Sequence, residues 1–195
     1  AALEDGQPAR VVEVDAEDAK AWAGLQLLPT KPVLYVCNVD EAEAAAGNAH
    51  SAAVAAMAAE QGAAAVVISA KIEEEISQLE PEEAEMFLDE LGLSEAGLDR
   101  MIRAGYDLLH LETYFTAGPK EARAWTIPQG TTAPKAAGVI HGDFERGFIR
   151  AETIAYDDYV ALGGEAAAKD AGKMRAEGKG YILRDGDVMH FLFNT

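Results

Sequence analysis

The sequence predicts an α/β segment followed by an α+β segment, on three observations. Residues 33–37 (Val-Leu-Tyr-Val-Cys) and 65–68 (Ala-Val-Val-Ile) are short apolar runs of strand formers with an alanine-rich helical stretch over 50–61 between them, which is the order of a β-α-β unit. Near Glu112 helical periodicity gives way to period-2 alternation, and the balance of charge changes with it. Beyond that point short strands surround one main helix, over 134–141. Strands wrapped on a single helix make a β-grasp, ubiquitin-like fold the expected architecture of the second part.

Each element has its own local reason. Residues 1–29 are short and polar and offer only Trp22, Leu25, Leu27 and Leu28 to bury, so the stretch reads as the end of something larger. Asp15 is placed to cap a brief helix through Trp22. Pro32 suits the start of strand 33–37, whose nearly continuous apolar character predicts a parallel strand covered on both faces. A polar connection over 41–48 leads to a helix over 51–59, stopped at Gly62. After strand 65–68, Ile72, Ile76 and Leu79 share a helical face, with Glu73, Glu74 and Glu75 expected in solvent. Pro81, Glu82 and Glu83 open a helix that stops near Gly92. Ser94 is placed to cap the next, in which Leu98, Met101, Ile102, Gly105 and Leu109 form a packing face.

In the second part, 113–115 and 123–127 read as strands around a turn at Gly118-Pro119, with Pro128 closing the second. Residues 134–141 are a helix, 148–154 a strand and 164–171 a short helix. Asp185-Gly186 predicts a tight hairpin between 181–183 and 188–193.

The 195 residues carry a net charge of -18, unevenly spread. From Tyr114 onward the acidic residues are nearly matched by Lys120, Arg123, Lys135, Arg146, Arg150, Lys169, Lys173, Arg175, Lys179 and Arg184, so the first part holds almost all the excess acid. Such a surface repels phosphate backbones and assigns any RNA contact to the second part, where Lys169, Lys173, Arg175 and Lys179 are the closest basic cluster; solubility alone also explains the acid. The single cysteine, Cys37, excludes a disulfide framework. No apolar run approaches the roughly 18 residues of a membrane span and no basic-then-apolar leader is visible, so the expected compartment is the cytosol. His50, His110, His141 and His190 show no metal-ligand spacing and read as surface or core residues. Trp125 and Phe148 suit core positions, with base stacking as the other reading.

Chemistry is expected where the two strands of the first part end, because ligands of open α/β sheets sit at the carboxyl ends of strands. The loops there are Asn38-Val39-Asp40-Glu41 and Ser69-Ala70-Lys71. Alone, the second is as readily a plain strand-to-helix turn. Together they resemble the base-reading motifs of P-loop GTPases, Asn-Lys-x-Asp followed later by Ser-Ala-Lys. The departures, Val39 for Lys and Glu41 for Asp, resemble the Obg-like ATPase (YchF) subfamily, whose members carry Asn-x-x-Glu and prefer ATP. Residues 105–159 and 171–195, with the words IHGDFERGFIRAE and RDGDVMHFLF, resemble the same subfamily and the TGS domain shared by threonyl-tRNA synthetases, some GTPases and stringent-response enzymes.

The resemblance covers nearly all of the chain. It implies that 1–29 end an inserted helical domain, 30–112 form the C-terminal part of a P-loop nucleotide-binding domain and 113–195 are a TGS domain. It also implies a base site at Asn38, Val39, Glu41, Ser69, Ala70 and Lys71, with Asn38 or the backbone at Val39 reading adenine and Lys71 covering its face. The complete protein is then expected to hydrolyse ATP, with GTP weaker, using magnesium, and to associate with ribosomes through RNA or a ribosomal protein, without membrane or DNA partners. No G-x-x-x-x-G-K-[ST] occurs; Gly172-Lys173 lacks the first glycine and the hydroxyl. This chain alone is therefore expected to supply no catalytic residue or metal ligand, to hold no nucleotide tightly and to be inactive. The other reading is a ribosome- or RNA-binding module without catalysis.

Overall fold

The computed structural model describes residue 2 and residues 4–194, and the chain divides into two units between Leu108 and Leu109. The first contains helix α1 (Ala19–Gly24), strand β1 (Leu34–Asn38), α2 (Ala49–Glu60), β2 (Ala64–Ile68), α3 (Ala70–Ile76), α4 (Pro81–Glu90) and α5 (Gly97–Leu108). β1 and β2 pair in parallel, with Leu34 opposite Ala64 and Asn38 opposite Ile68, so both loops emerge at the same end. The crossover helix α2 is set by its start: Asn48 Oδ1 accepts from the N–H groups of His50 and Ser51, and Ser51 Oγ accepts from Asn48 N–H. Gly62, at φ 62°, ends it. Ala44, Ile72 and Leu93 make the buried cluster, with Ile76, Phe87, Leu88 and Leu91 packed around it.

Several expectations for this unit are corrected. β1 is not covered on both faces: Val36 is 43% exposed, because the sheet has two strands among the described residues and offers little to cover it. α1 begins at Ala19 with Asp18 at its cap position, not Asp15, and no side chain caps it. Ser94 lies short of α5; the first N–H groups of that helix, on Gly97 and Leu98, donate to the Glu73 carboxylate at 2.7 and 3.1 Å. Glu73 is thus a helix cap and not one of three solvated acids. A Cβ at Gly97 would lie 3.0 Å from the Ile68 side chain, so glycine lets α5 approach β2 this closely. Leu98, Ile102 and Leu109, expected on a packing face, are each about half exposed.

The second unit contains β3 (Leu111–Ala117), β4 (Ala122–Pro128), α6 (Ala133–Ile140), α7 (Gly142–Arg146), β5 (Phe148–Ala155), α8 (Tyr156–Leu162), α9 (Glu165–Asp170), β6 (Arg175–Glu177) and β7 (Asp187–Phe193). The sheet order is β4-β3-β7-β5-β6, with the first and last strands, β3 and β7, parallel and adjacent, and every other pair antiparallel. Tyr114, Ile127, Ala133, Ala136, Ala137, Phe148, Ala151, Leu183, Met189 and Phe191 form one core between this sheet and α6. The alanines of α6 let the helix sit close, and the buried Tyr114 hydroxyl donates to Ala136 O at 2.9 Å. Burial pushes that hydroxyl well above the usual tyrosine range.

The hairpin expected at Asp185-Gly186 is not formed. Residues 181–183 bond instead to the chain before α6, Leu183 N–H to Thr131 O and Ala133 N–H to Tyr181 O, while β7 joins β3 and β5. Asp185 and Gly186 make a turn held by Thr113, whose N–H donates to Asp185 Oδ1 and whose carbonyl accepts from Gly186 N–H.

Candidate base-binding site

The loops after β1 and β2 meet because the parallel register continues past the strands: Val39 N–H donates to Ile68 O at 2.9 Å. Beside it, Asn38 Oδ1 accepts from Ala70 N–H at 2.9 Å. That donor fixes the orientation of the Asn38 amide, since only its oxygen can accept, and leaves Nδ2 as the group for a ligand. Asn38, Val39, Asp40, Glu41, Ala42, Ser69 and Lys71 line an open cleft of about 340 Å³. Ser69 is 2% exposed and its Oγ has no partner among the described residues, so a buried hydroxyl stands unsatisfied at the cleft wall.

Lys71 does not stand free to cover a ring. Its Nζ meets Glu41 Oε1 at 2.7 Å and Glu75 Oε1 at 4.0 Å, and the hydrogen bond to Glu41, then the charge of that carboxylate, push its pKa upward. This exposed pair is worth little as stability, but it neutralises the carboxylate that would otherwise face a ligand. The Val39 N–H, expected as one way of reading the base, is committed to Ile68 O, and the Ala70 N–H is committed to Asn38. Among the side chains lining the cleft, the Asn38 amide nitrogen, the exposed Asp40 carboxylate and the buried Ser69 hydroxyl have no partner among the described residues. Of the six positions expected from the sequence, Asn38, Val39, Glu41, Ser69 and Lys71 line the cleft and Ala70 does not; Asp40 and Ala42, which also line it, were not named among them, nor were the neutralising Lys71–Glu41 contact and the cap that Glu73 places on α5.

The basic cluster named from the sequence is smaller in space. Arg175 is held by Glu177, Tyr181 and Asp187, and Lys173 pairs with Asp158 at 3.1 Å, so Lys169 and Lys179 are its uncommitted members. Phe148 is core. Trp125 stacks on Tyr114, carries Arg123 over its ring at 4.0 Å and donates to Thr116 Oγ1, and it borders an open cleft of about 480 Å³ with Phe144 and Phe193. No helix among the described residues is long and apolar enough to cross a membrane.

Residues 111–194 match the family model YchF-GTPase_C, described as "Protein of unknown function (DUF933)". The chain is 56% identical over its full length to a protein of Bacillus subtilis named ribosome-binding ATPase YchF, covering 54% of that protein. It is 53% identical over 99% of its length to the protein of the same name from Escherichia coli O157:H7, covering 53% of it. Among solved structures, the Schizosaccharomyces pombe YchF GTPase aligns with a TM-score of 0.79 at 34% identity, over 97% of this chain and 50% of that one. The chain spans about half the length of these relatives. Along essentially its whole length the chain is similar to these YchF proteins, and its residues 111–194 match the YchF-GTPase_C model.

Proposed function

We propose that this chain is the base-recognition and ribosome-contacting part of a nucleoside triphosphatase that binds and hydrolyses ATP in preference to GTP when complete. The observation that carries the reading is the Asn38–Ala70 hydrogen bond across the two strand-end loops, which aims one amide nitrogen into a cleft walled by an unsatisfied hydroxyl. A purine offers N7 as an acceptor to that nitrogen. Guanine also needs a free carboxylate for its N1–H and N2 amino groups, whereas adenine presents neither donor to it. With Glu41, the carboxylate at the guanine-reading position of the loop, neutralised by Lys71, adenine is the better occupant; Asp40, the neighbouring carboxylate, is one position away from it. Asn38, Val39, Glu41, Ser69, Ala70 and Lys71 are the proposed base-site residues, the backbone groups of Val39 and Ala70 acting by holding the loops.

The phosphate end is proposed to lie outside this chain, which has no phosphate-cradling glycine loop. Magnesium would accompany the triphosphate there, and the chain alone is proposed to be inactive. In the same reading 1–29 end an inserted helical domain, 30–112 complete the nucleotide-binding domain and 113–195 are a TGS domain of β-grasp design. The strand order, with first and last strands parallel in the middle of the sheet and one helix packed across it, supports that fold. The names of the relatives support a ribosome as partner and the cytoplasm as compartment.

The test is a titration of adenosine and of guanosine into isotopically labelled chain, read by amide chemical shifts. Adenosine is expected to move the resonances of Asn38, Ser69 and Lys71 at lower concentration than guanosine does. Equal or absent responses at those residues would remove the base-site assignment.

A further inference from the structure

We propose that Glu152, Glu165 and His190 form a binding site for one divalent transition-metal ion of the zinc class. Glu152 on β5 and His190 on β7 stand directly opposite each other in the antiparallel register, which puts their side chains side by side on one face of the sheet. Glu165 is the first residue of α9, brought there by Gly163 and Gly164 at φ 81° and 125°, conformations that suit glycine. One ligand atom from each of the three lies within 4.8 Å of the others, and His190 Nδ1 is 3.8 Å from Glu165 Oε1. An ion held at about 2.0–2.2 Å from each ligand needs them about 3.4 Å apart, a small side-chain adjustment away.

Two further observations favour an ion. The three residues, with Ile154, Val188 and Met189, line a cavity of about 10 Å³, room for one water-sized body, and Glu165 and His190 also border an open cleft of about 480 Å³. Two carboxylates and a neutral imidazole balance a dication, and the imidazole nitrogen selects zinc, cobalt or nickel over magnesium or calcium. The competing cation is weakly placed: Arg150 reaches Glu152 Oε1 only at 3.5 Å, from a half-exposed side chain. Because the ligands come from two strands and a helix, the sequence spacing hides them. The ion would tie α9 to the centre of the sheet.

Zinc titrated calorimetrically into the intact chain, and cobalt followed by its visible absorption, test the proposal. The expected result is one saturable site that His190→Gln and Glu165→Gln each weaken about tenfold or more, that His50→Gln leaves unchanged, and whose occupancy raises the melting temperature. Both carriers of the test are partly exposed, and circular dichroism checks that each variant stays folded. No saturable binding, or equal affinity in parent, His190→Gln and Glu165→Gln, would overturn the site. Loss of the binding in His50→Gln would assign it to a surface histidine and also overturn it.

Discussion

The two units bury their residues to different depths. In the second, a five-stranded sheet and α6 enclose ten buried residues in one cluster, with Tyr114 and Ile127 wholly out of water. In the first, a two-stranded sheet and short helices enclose a cluster of three, while Leu28 is 82% and Met86 66% exposed. The comparison teaches that stability and the candidate site are carried by different parts of the chain. A sheet of two strands is marginal by itself, so the geometry of the first unit rests on discrete polar links: Asn38 to Ala70, Lys71 to Glu41, and Glu73 to the start of α5.

The largest expected effect is on independent folding. Residues 109–195 alone should melt in one cooperative transition, and residues 1–108 alone should show a broad, non-cooperative one by circular dichroism. A sharp transition in the first fragment, or none in the second, would break the contrast.

Glycine substitutions sharpen it. In the second unit a Cβ at Gly147 would stand 1.9 Å from Asn194 O, a backbone atom that cannot swing away, because Asn194 N–H is bonded to Gly147 O. Gly147→Ala should cost about 1–3 kcal/mol or more, at about 4–8 °C of melting temperature per kcal/mol for a unit of this size. In the first unit Gly105, inside α5, has nothing within 4 Å of an added Cβ. Gly105→Ala should be neutral or stabilising by up to about 1 kcal/mol.

A smaller effect is confined to alkaline pH. The Tyr114 hydroxyl is pushed up by burial, so the folded state keeps a proton that the unfolded chain releases near the ordinary value of 10. Its contribution is complete below that pH and is lost as pH rises above it, at about 1.4 kcal/mol per pH unit. Tyr114→Phe should flatten that slope while costing about 1 kcal/mol at neutral pH for the lost hydrogen bond to Ala136 O. An unchanged alkaline slope in denaturant melts would show that another group carries it.

The apolar runs of β1 and β2, the mixed strand β5 and the alanine-rich helices α2 and α6 were legible, because strand and helix periodicities are local. α7 was not, being five residues that start at Gly142 and end before Gly147, nor was β6, a polar strand of three residues that exists through its pairing with β5. α8 has no side-chain cap to announce it. The hairpin expectation failed because Leu183 finds its partner at Thr131, a contact that a turn dipeptide does not encode. For the candidate site, the loop residues could be named because they follow strands directly. Their couplings could not, since Asn38 and Ala70, or Glu41 and Lys71, meet only once β1 and β2 are in register.

The central claim is that the strand-end loops of the first unit read a purine base and favour adenine. The most direct measurement is competition between ATP and GTP for the complete protein carrying the paired change Val39→Lys and Glu41→Asp, set against the parent. Restoring the guanine-reading pattern should shift the preference toward GTP by about tenfold or more, the value of one complementary base-edge contact. An unchanged ATP-to-GTP ratio would contradict the placement of the base at these loops.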